Sequence, residues 1–156
     1  MKNHLLIAVS LMACLPVHGQ ERSTIVRDIT IWYDAFNKRD PALAQQIMSE
    51  DWIDIPAAPG QPPGRKGVEY ILNDLSKVFP DFKITPAEIL QDGAKVIVRS
   101  ELAGTQRTPF VGFAAKGRKM TIQTIDIHEF KDGKIVRTWH TEDWLTGLHQ
   151  LGAIEK

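Results

Sequence analysis

The chain of 156 residues contains one cysteine, no excess of either charge and no long apolar run. Its single cysteine, Cys14, excludes an internal disulfide. Nineteen basic and nineteen acidic side chains give a formal net charge of zero, which argues against a protein that binds the phosphates of nucleic acid. No apolar stretch reaches the length of a permanent membrane-spanning helix.

The remaining composition is that of a folded globular domain. Hydrophobic residues make up 43% and charged residues 24% of the chain, which is ordinary globular usage rather than that of a disordered chain. The length allows one domain with a substantial core, and no internal repeat or linker divides it. Any function must therefore be sought in a site within this domain.

The first residues have the pattern of a secretory signal peptide. Lys2 gives a positive start, residues 5–15 are almost entirely apolar, and Gly19 supplies a small residue before a cleavage point. We predict a signal peptide over residues 1–19 and a single domain over residues 20–156, exported to the periplasm or secreted.

A second interpretation of the same segment stays open. Leu11, Met12, Ala13 and Cys14 resemble a bacterial lipobox, in which the cysteine is acylated and becomes the mature N-terminus. The protein would then be a lipoprotein anchored through Cys14. In both cases the cysteine lies outside the domain core.

Apolar residues at helical spacing predict three helices in the first half. The segments are residues 23–37, a shorter helix that follows the cap Asp40 and Pro41, and residues 68–78. Residues 51–55 are predicted to be extended, and four prolines and two glycines predict a loop over residues 56–64.

Strand patterns dominate the second half of the chain. They cover residues 82–90, 95–102, 119–130 and 135–143, and a short helix is predicted over residues 145–151. Asp132 and Gly133 between the last two strands give a strong hairpin signal. Helices followed by antiparallel strands indicate an α+β fold with helices on one face of a sheet.

The predicted hairpin carries most of the residues able to do chemistry. His128 and His140 lie on its two strands, with Asp126 and Glu142 at alternate positions beside them. Side chains alternate along a strand, so Thr124, Asp126 and His128 share one face, as do Thr138, His140 and Glu142.

The turn decides whether these two faces coincide. A two-residue loop would set Asp126 opposite Trp139 and separate the ionisable groups. A three-residue loop with Gly133 left-handed would set Asp126 opposite Thr138 and gather the ionisable groups on one side. We predict the three-residue loop, although a slip of one residue would reverse the faces.

A carboxylate beside an imidazole inside a curved sheet is suited to acid/base catalysis. Histidine titrates near neutral pH, and a carboxylate orients the ring and stabilises its charged form. We predict that His140 accepts a proton and that Asp126 orients it. The sequence favours this acid/base pair over a metal site, because it contains no closely spaced set of metal ligands. We therefore predict no metal and no cofactor.

Other side chains are candidates for the wall of a pocket or for its polar end. Asp54 either points inward or lies on the surface. The aromatic residues could line an apolar pocket, but for each of them the sequence favours ordinary core packing. They are Trp32, Tyr33, Phe36, Trp52, Trp139 and Trp144.

The chain resembles the SnoaL-like polyketide cyclases, also called ester cyclases, of the NTF2-like superfamily. The order and spacing of several motifs carry the resemblance through nearly all of residues 20–156. They are Ala35-Phe36-Asn37, Asp51-Trp52-Ile53-Asp54, Gly64-Arg65-Lys66-Gly67, Gly104-Thr105, Phe110-Val111-Gly112, Asp132-Gly133-Lys134-Ile135, Trp139, Asp143 and Gln150-Leu151-Gly152.

The resemblance implies a cone-shaped α+β fold, in which three N-terminal helices pack on a curved antiparallel sheet around a deep apolar cavity. It also implies cofactor-free acid/base chemistry by an aspartate on the last strand and a histidine on the preceding strand. Counted from the shared turn, those positions hold His140 and Asp126, so the two residue types are exchanged. The family's Asn, Gln and second His fall on Asp54, Thr124 and Thr138.

Two functions follow as hypotheses. In the first, the protein is a cofactor-independent enzyme acting on a small apolar carbonyl or ester compound. His140 and Asp126 would be catalytic, and the substrate contacts would be His128, Glu142, Asp54, Thr124, Thr138, Trp32, Phe36, Trp52 and Asp143. In the second, the same cavity binds a hydrophobic small molecule without catalysis. The open face of the sheet further predicts a homodimer.

Overall fold

The computed structural model of the protein describes residues 17–154. The predicted signal peptide over residues 1–19, with Cys14 inside it, lies outside the described residues except for 17–19, which begin the first helix. Between residues 17 and 154 no helix is long and apolar enough to cross a membrane.

The described chain forms four helices: α1 Val17–Lys38, α2 Pro41–Ile47, α3 Arg65–Val78 and α4 Trp144–Leu151. Each lies where the apolar spacing predicted one, and α1 starts earlier than expected. The start of α2 is fixed by Asp40, whose carboxylate accepts a hydrogen bond from the Ala42 backbone N–H at 3.0 Å. Pro41, which lacks an N–H, occupies the first helical position, where none is needed.

Five strands form one sheet in the order β1-β5-β4-β3-β2. Their bounds are β1 Met48–Ile55, β2 Lys83–Asp92, β3 Lys95–Thr105, β4 Lys119–Lys131 and β5 Lys134–Glu142. β2 to β5 are antiparallel neighbours, but β1 runs parallel to β5. The predicted α+β class with N-terminal helices and a curved sheet is confirmed, and the sheet is mixed rather than antiparallel throughout, because β1 pairs in parallel with β5.

The β4–β5 turn differs from the predicted three-residue loop. Lys131 pairs with Lys134, so the loop contains two residues. Both have positive φ, 50° at Asp132 and 72° at Gly133. This is the backbone of the type I′ turn, whose twist matches that of the flanking strands.

A bulge next to this turn brings the ionisable side chains of β4 and β5 to the same side of the sheet, although a two-residue loop alone would place them on opposite sides. Phe130 faces Ile135, but Glu129 faces Arg137, so Val136 is an extra residue in β5. Beyond the bulge, Asp126 lies directly opposite His140. The polar side chains that share the inner side of the two strands are Thr124, Asp126, His128, Thr138, His140 and Glu142.

The helices cover this inner side of the sheet, and the core lies between the two layers. Alternate residues of β3 are buried, including Val96, Val98 and Leu102. On the opposite, outer side, Ile125 is exposed, and Lys95 Nζ lies 5.1 Å from the ring centroid of Trp139. The fold thus brings the hairpin's ionisable groups to the helix-covered side.

Gly64 allows the loop before α3 to pass close to β1. It has φ 66° and ψ −154°, and a Cβ at this position would clash with the Glu50 carbonyl oxygen. We expect Gly64→Ala to lower the free energy of unfolding by about 3 kcal/mol in urea titrations, from strain and the clash together. The control Gly93→Ala, at φ 55° with nothing within 4 Å of a Cβ, should lose about 1 kcal/mol. Equal losses would contradict this prediction.

Candidate active site

A narrow cavity of about 90 Å³ lies between the inner side of the sheet and the helices. Its walls are mostly apolar and aromatic, and its polar groups come from β1, β4 and β5. The lining residues are Trp32, Tyr33, Phe36, Trp52, Asp54, Ile71, Leu75, Ile84, Leu102, Thr124, Asp126, Thr138, His140, Glu142 and Trp144.

A wider depression of about 430 Å³ lies on the outer side, next to the bulge at Val136. Its charged groups are Asp51, Glu129, Lys131 and Arg137, and Glu129 and Arg137 are paired with each other at 2.8 Å. The narrow cavity, which combines largely apolar walls with ionisable groups from three strands, is the better candidate for a site.

The structure brings nine predicted site residues together in the cavity wall, namely Trp32, Phe36, Trp52, Asp54, Thr124, Asp126, Thr138, His140 and Glu142. Two others lie elsewhere. His128 is fully buried behind the wall, where it contacts Tyr33 and Thr138. Asp143 is exposed and caps α4 by accepting the Thr146 backbone N–H at 3.1 Å, so it lies outside the predicted site.

The partner of Asp126 is a tyrosine on α1. The Tyr33 hydroxyl donates to Asp126 Oδ2 at 2.6 Å, and Tyr33 is 3% exposed. The bond is short, as expected for a hydroxyl that donates to a carboxylate. Asp126 makes no hydrogen bond with His140 in the described chain, so the prediction that Asp126 orients His140 is wrong.

Burial determines how readily Asp126 takes up a proton. It raises the pKa of Asp126, although the Tyr33 hydrogen bond stabilises the charged form and lowers the pKa in turn. The negative charges of Glu142 and Asp54 raise it and the positive charge of His140 lowers it, with a resulting pKa of about 6. Asp126 is therefore a carboxylate at neutral pH, with a greater affinity for protons than an exposed one.

His140 is held between two carboxylates. Its Nδ1 donates to Glu142 Oε1 at 2.8 Å, and its Nε2 lies 3.4 Å from Asp54 Oδ1. The same Nε2 lies 3.0 Å from the carbonyl oxygen of Pro56. Gln61 also reaches the site, since its amide donates to Asp54 Oδ2 at 3.0 Å. The loop over residues 56–64 is thus attached to the polar end of the cavity.

These contacts determine the charge of His140. Burial by itself lowers the pKa of His140, but hydrogen bonds to Asp54 and Glu142, and their negative charges, outweigh burial and raise the pKa to about 10. His140 is therefore an imidazolium at neutral pH. A protonated ring cannot accept a proton, so the prediction of His140 as the acceptor disagrees with the structure.

His128 has the opposite environment. It is fully buried, and burial, with a smaller effect from the positive charge of His140, lowers the pKa of His128 to about 3. Its Nδ1 lies 3.0 Å from Thr138 Oγ1, and that hydroxyl accepts the Trp52 indole N–H at 3.0 Å. This histidine stays neutral at physiological pH and is a hydrogen-bonding group of the core.

The polar groups do not form a ready metal site. Within residues 17–154 no group of three His, Cys, Asp or Glu side chains is arranged to hold a metal ion. Both nitrogens of His140 already have hydrogen-bonding partners. The arrangement is an ion-paired imidazolium opposite a carboxylate.

Sequence reasoning missed two kinds of contact. Tyr33 was predicted only as a core or pocket aromatic, although a buried tyrosine hydroxyl generally needs a partner. Gln61 and the Pro56 carbonyl lie in the proline-rich loop, and no periodicity in the sequence shows that this loop reaches Asp54 and His140.

A curved mixed sheet of five strands with N-terminal helices packed against it is the ketosteroid isomerase-like or NTF2-like α+β fold. Within this class, residues 27–151 match the family model described as SnoaL-like polyketide cyclase. The chain therefore belongs to the SnoaL-like polyketide cyclase family, which confirms the resemblance in its sequence. A search of curated protein sequences gives no match.

Several solved structures share the fold. TsrD from Streptomyces laurentii is 25% identical, with a TM-score of 0.79 over 85% of this chain and 98% of that chain. A proposed polyketide cyclase from Bacillus cereus ATCC 10987 is 29% identical, with a TM-score of 0.76 over 87% and 85%. IdmH from Streptomyces antibioticus, also a proposed polyketide cyclase, is 30% identical, with a TM-score of 0.71 over 81% and 97%.

The raised pKa of His140 makes stability depend on pH. The folded chain binds this proton more tightly than the unfolded chain, whose histidine has a pKa near 6.5. The resulting stabilisation is complete below pH 6.5 and is lost as pH rises toward 10. Between pH 7 and 10, we expect the free energy of unfolding to fall by roughly 2–4 kcal/mol more in the wild type than in His140→Gln.

Denaturant titrations across this pH range measure the difference. The control is Asn73→Gln, an exposed position on α3 that carries no titratable group and should keep the wild-type pH dependence. Parallel curves for the wild type and His140→Gln would contradict the assigned ion pairs.

Proposed function

We propose that the protein is a cofactor-independent enzyme that removes a proton next to the carbonyl group of a small apolar ketone or ester. The observation that carries the proposal is the pairing of Asp126 with His140 on adjacent strands. Their environments raise the pKa of the carboxyl to about 6 and that of the imidazole to about 10. Such a pair holds a base and a cationic acid side by side at neutral pH.

The proposed step assigns one role to each group. An Asp126 carboxylate oxygen takes the proton from the carbon next to the carbonyl. The electron pair of that C–H bond forms a C=C bond to the carbonyl carbon, and the π pair of the carbonyl moves to its oxygen. The His140 imidazolium donates a hydrogen bond to the resulting enolate oxygen and stabilises its charge. Return of the proton to another carbon gives isomerisation, and attack by the enolate carbon gives cyclisation.

The loop over residues 56–64 would have to move for this step. In the structure, Nε2 of His140 faces the Pro56 carbonyl oxygen at 3.0 Å, which is where a substrate oxygen would bind. The cavity of about 90 Å³ is also below the usual range of ligand pockets, about 300–1,000 Å³. A substrate would replace the Pro56 carbonyl and displace the loop outward.

The apolar walls set the substrate class. No lysine or arginine is among the residues that line the cavity in the described chain, and aromatic rings from α1, β1 and α4 form much of it. A small compound with an apolar body and one carbonyl group fits these walls. The family name and the descriptions of IdmH and the Bacillus cereus protein support carbonyl chemistry of this kind.

Proton exchange tests the proposal directly. In D₂O we expect the protein to exchange the protons next to the carbonyl of small ketones and esters faster than buffer does, as followed by NMR. Asp126→Asn should exchange these protons at least about 100-fold more slowly than the wild type, because a general base usually contributes that much to the rate. His140→Gln should also lose rate, whereas Asp92→Asn, at the exposed β2–β3 turn, should match the wild type.

No exchange above the buffer rate, or full exchange in Asp126→Asn, would overturn the enzymatic proposal. The second function, a non-catalytic binding module, predicts a different result. A hydrophobic molecule would remain bound through purification and be detected by native mass spectrometry, with no turnover.

We also propose that the protein is exported, on the basis of the charged start, the apolar stretch and Gly19 in residues 1–19. The expected product has Gln20 at its N-terminus and is recovered from the periplasm or the medium. Intact mass and N-terminal sequencing of the recovered protein measure this. Full-length protein confined to the cytoplasm would contradict export. An acylated protein beginning at Cys14 would contradict cleavage after Gly19 and support the lipoprotein interpretation.

A further inference from the structure

A line of buried hydrogen bonds runs through the wall of the cavity and ends on Asp126. The Trp52 indole N–H donates to Thr138 Oγ1 at 3.0 Å, and Thr138 Oγ1 lies 3.0 Å from His128 Nδ1. His128 Nε2 lies 3.4 Å from the Tyr33 hydroxyl, which donates to Asp126 at 2.6 Å. None of the first four residues exceeds 3% exposure, so this line is shielded from bulk solvent.

The groups at the two ends determine the direction in which the hydrogen bonds of this line run from donor to acceptor. An indole N–H can only donate, and an ionised carboxylate can only accept. The single hydroxyl hydrogen of Tyr33 is engaged by Asp126, so at its contact with His128 the tyrosine oxygen must accept. Neutral His128 must then carry its hydrogen on Nε2.

The rest of the line follows from that tautomer. With its hydrogen on Nε2, His128 accepts at Nδ1, so Thr138 donates its hydroxyl hydrogen to the ring. Thr138 in turn accepts from Trp52, which matches the observed contact. Every donor thus points toward Asp126, and hydrogen bonds aligned in this way strengthen one another.

The other tautomer would break the link to Asp126. With the hydrogen on Nδ1, His128 would donate to Thr138, and its bare Nε2 would compete with the carboxylate for the Tyr33 hydrogen. The Trp52 N–H opposes this arrangement, because it already occupies an acceptor site of Thr138 and favours the hydroxyl as the donor to His128.

We propose that Trp52 is a positioning residue, whose indole N–H keeps His128 in the Nε2–H tautomer and so keeps the Tyr33 hydroxyl directed at Asp126. This rests on the proposed function only in taking Asp126 as the proton acceptor. Three hydrogen bonds separate the indole from Tyr33. The indole can act over this distance because Thr138 and His128, which lie between them, each have one favoured orientation.

Other charged groups also act on Asp126. The charged groups that face Asp126 are Asp54 on β1 and His140 and Glu142 on β5. Two neutral groups also lie close to it, the Tyr33 hydroxyl from α1 and His128 on the same strand, β4. Replacing Trp52 with phenylalanine removes none of these groups, but it removes part of a ring that packs on Trp32 as well as the N–H. The tautomer of His128, measured together with the titration of Asp126, therefore separates the effect of the hydrogen bonds from that of repacking.

The first experiment needs no substitution. ¹⁵N NMR of histidine-labelled wild-type protein at pH 7.5 distinguishes the two neutral tautomers by the shifts of the ring nitrogens. We expect His128 to be the Nε2–H tautomer. The Nδ1–H tautomer in the wild type would overturn the proposal, whether or not any variant folds.

The second experiment compares Trp52→Phe with Trp139→Phe, whose ring lies on the outer side of the sheet beside Lys95 and Arg137. In Trp52→Phe we expect the Nδ1–H tautomer to gain population. The pKa of Asp126, followed through its ¹³C carboxyl shift, should rise by about one unit as its donor is lost. Trp139→Phe should retain the wild-type tautomer and carboxyl titration.

Tyr33→Phe provides the reference for complete loss of the donor, and it should raise the pKa of Asp126 at least as much as Trp52→Phe. An unchanged tautomer and carboxyl titration in folded Trp52→Phe would overturn the positioning role. Both measurements are independent of turnover. If proton exchange is absent but the tautomer and titration behave as expected, the enzymatic proposal fails and the positioning role stands.

Discussion

The geometry of the site depends on one extra residue in β5. Between the Lys131–Lys134 turn pair and the Glu129–Arg137 pair, Val136 has no counterpart in β4. Without it, the two-residue turn would place every polar side chain of one strand on the opposite side from those of the other. The bulge therefore allows the tightest kind of hairpin turn to coexist with ionisable groups gathered on the inner side.

Gathering these groups in a largely apolar cavity is costly, and each is stabilised in a different way. Asp126 receives the Tyr33 hydroxyl, and His140 lies between Glu142 and Asp54. His128 is fully buried, and it avoids the free-energy cost of a buried charge by staying neutral. The side chains of this site are thus charged where an oppositely charged group or a hydrogen-bond donor is held beside them, and the one without such a partner is neutral.

The sequence was sufficient to predict what local chemistry determines. Asp40 and Pro41 marked the start of α2, and Asp132 and Gly133 marked the hairpin, because capping and turn preferences act over a few residues. The bulge, the parallel pairing of β1 and the Tyr33–Asp126 bond were not predictable in this way. Tyr33 and Asp126 are 93 residues apart, and contacts at that range are set by how whole layers pack.

The parallel pairing of β1 with β5 also bears on the order of folding. Trp52 and Thr138 contact each other across 86 residues of chain, and closing so long a loop carries an entropic cost that local helices and hairpins avoid. β2, β3 and β4 can pair with near neighbours in sequence, whereas the cavity is incomplete until the last strand joins the first. A nascent chain that ends before β5 can pair β2, β3 and β4 and already carries Tyr33 and Asp126, but it lacks His140 and the strand that β1 pairs with.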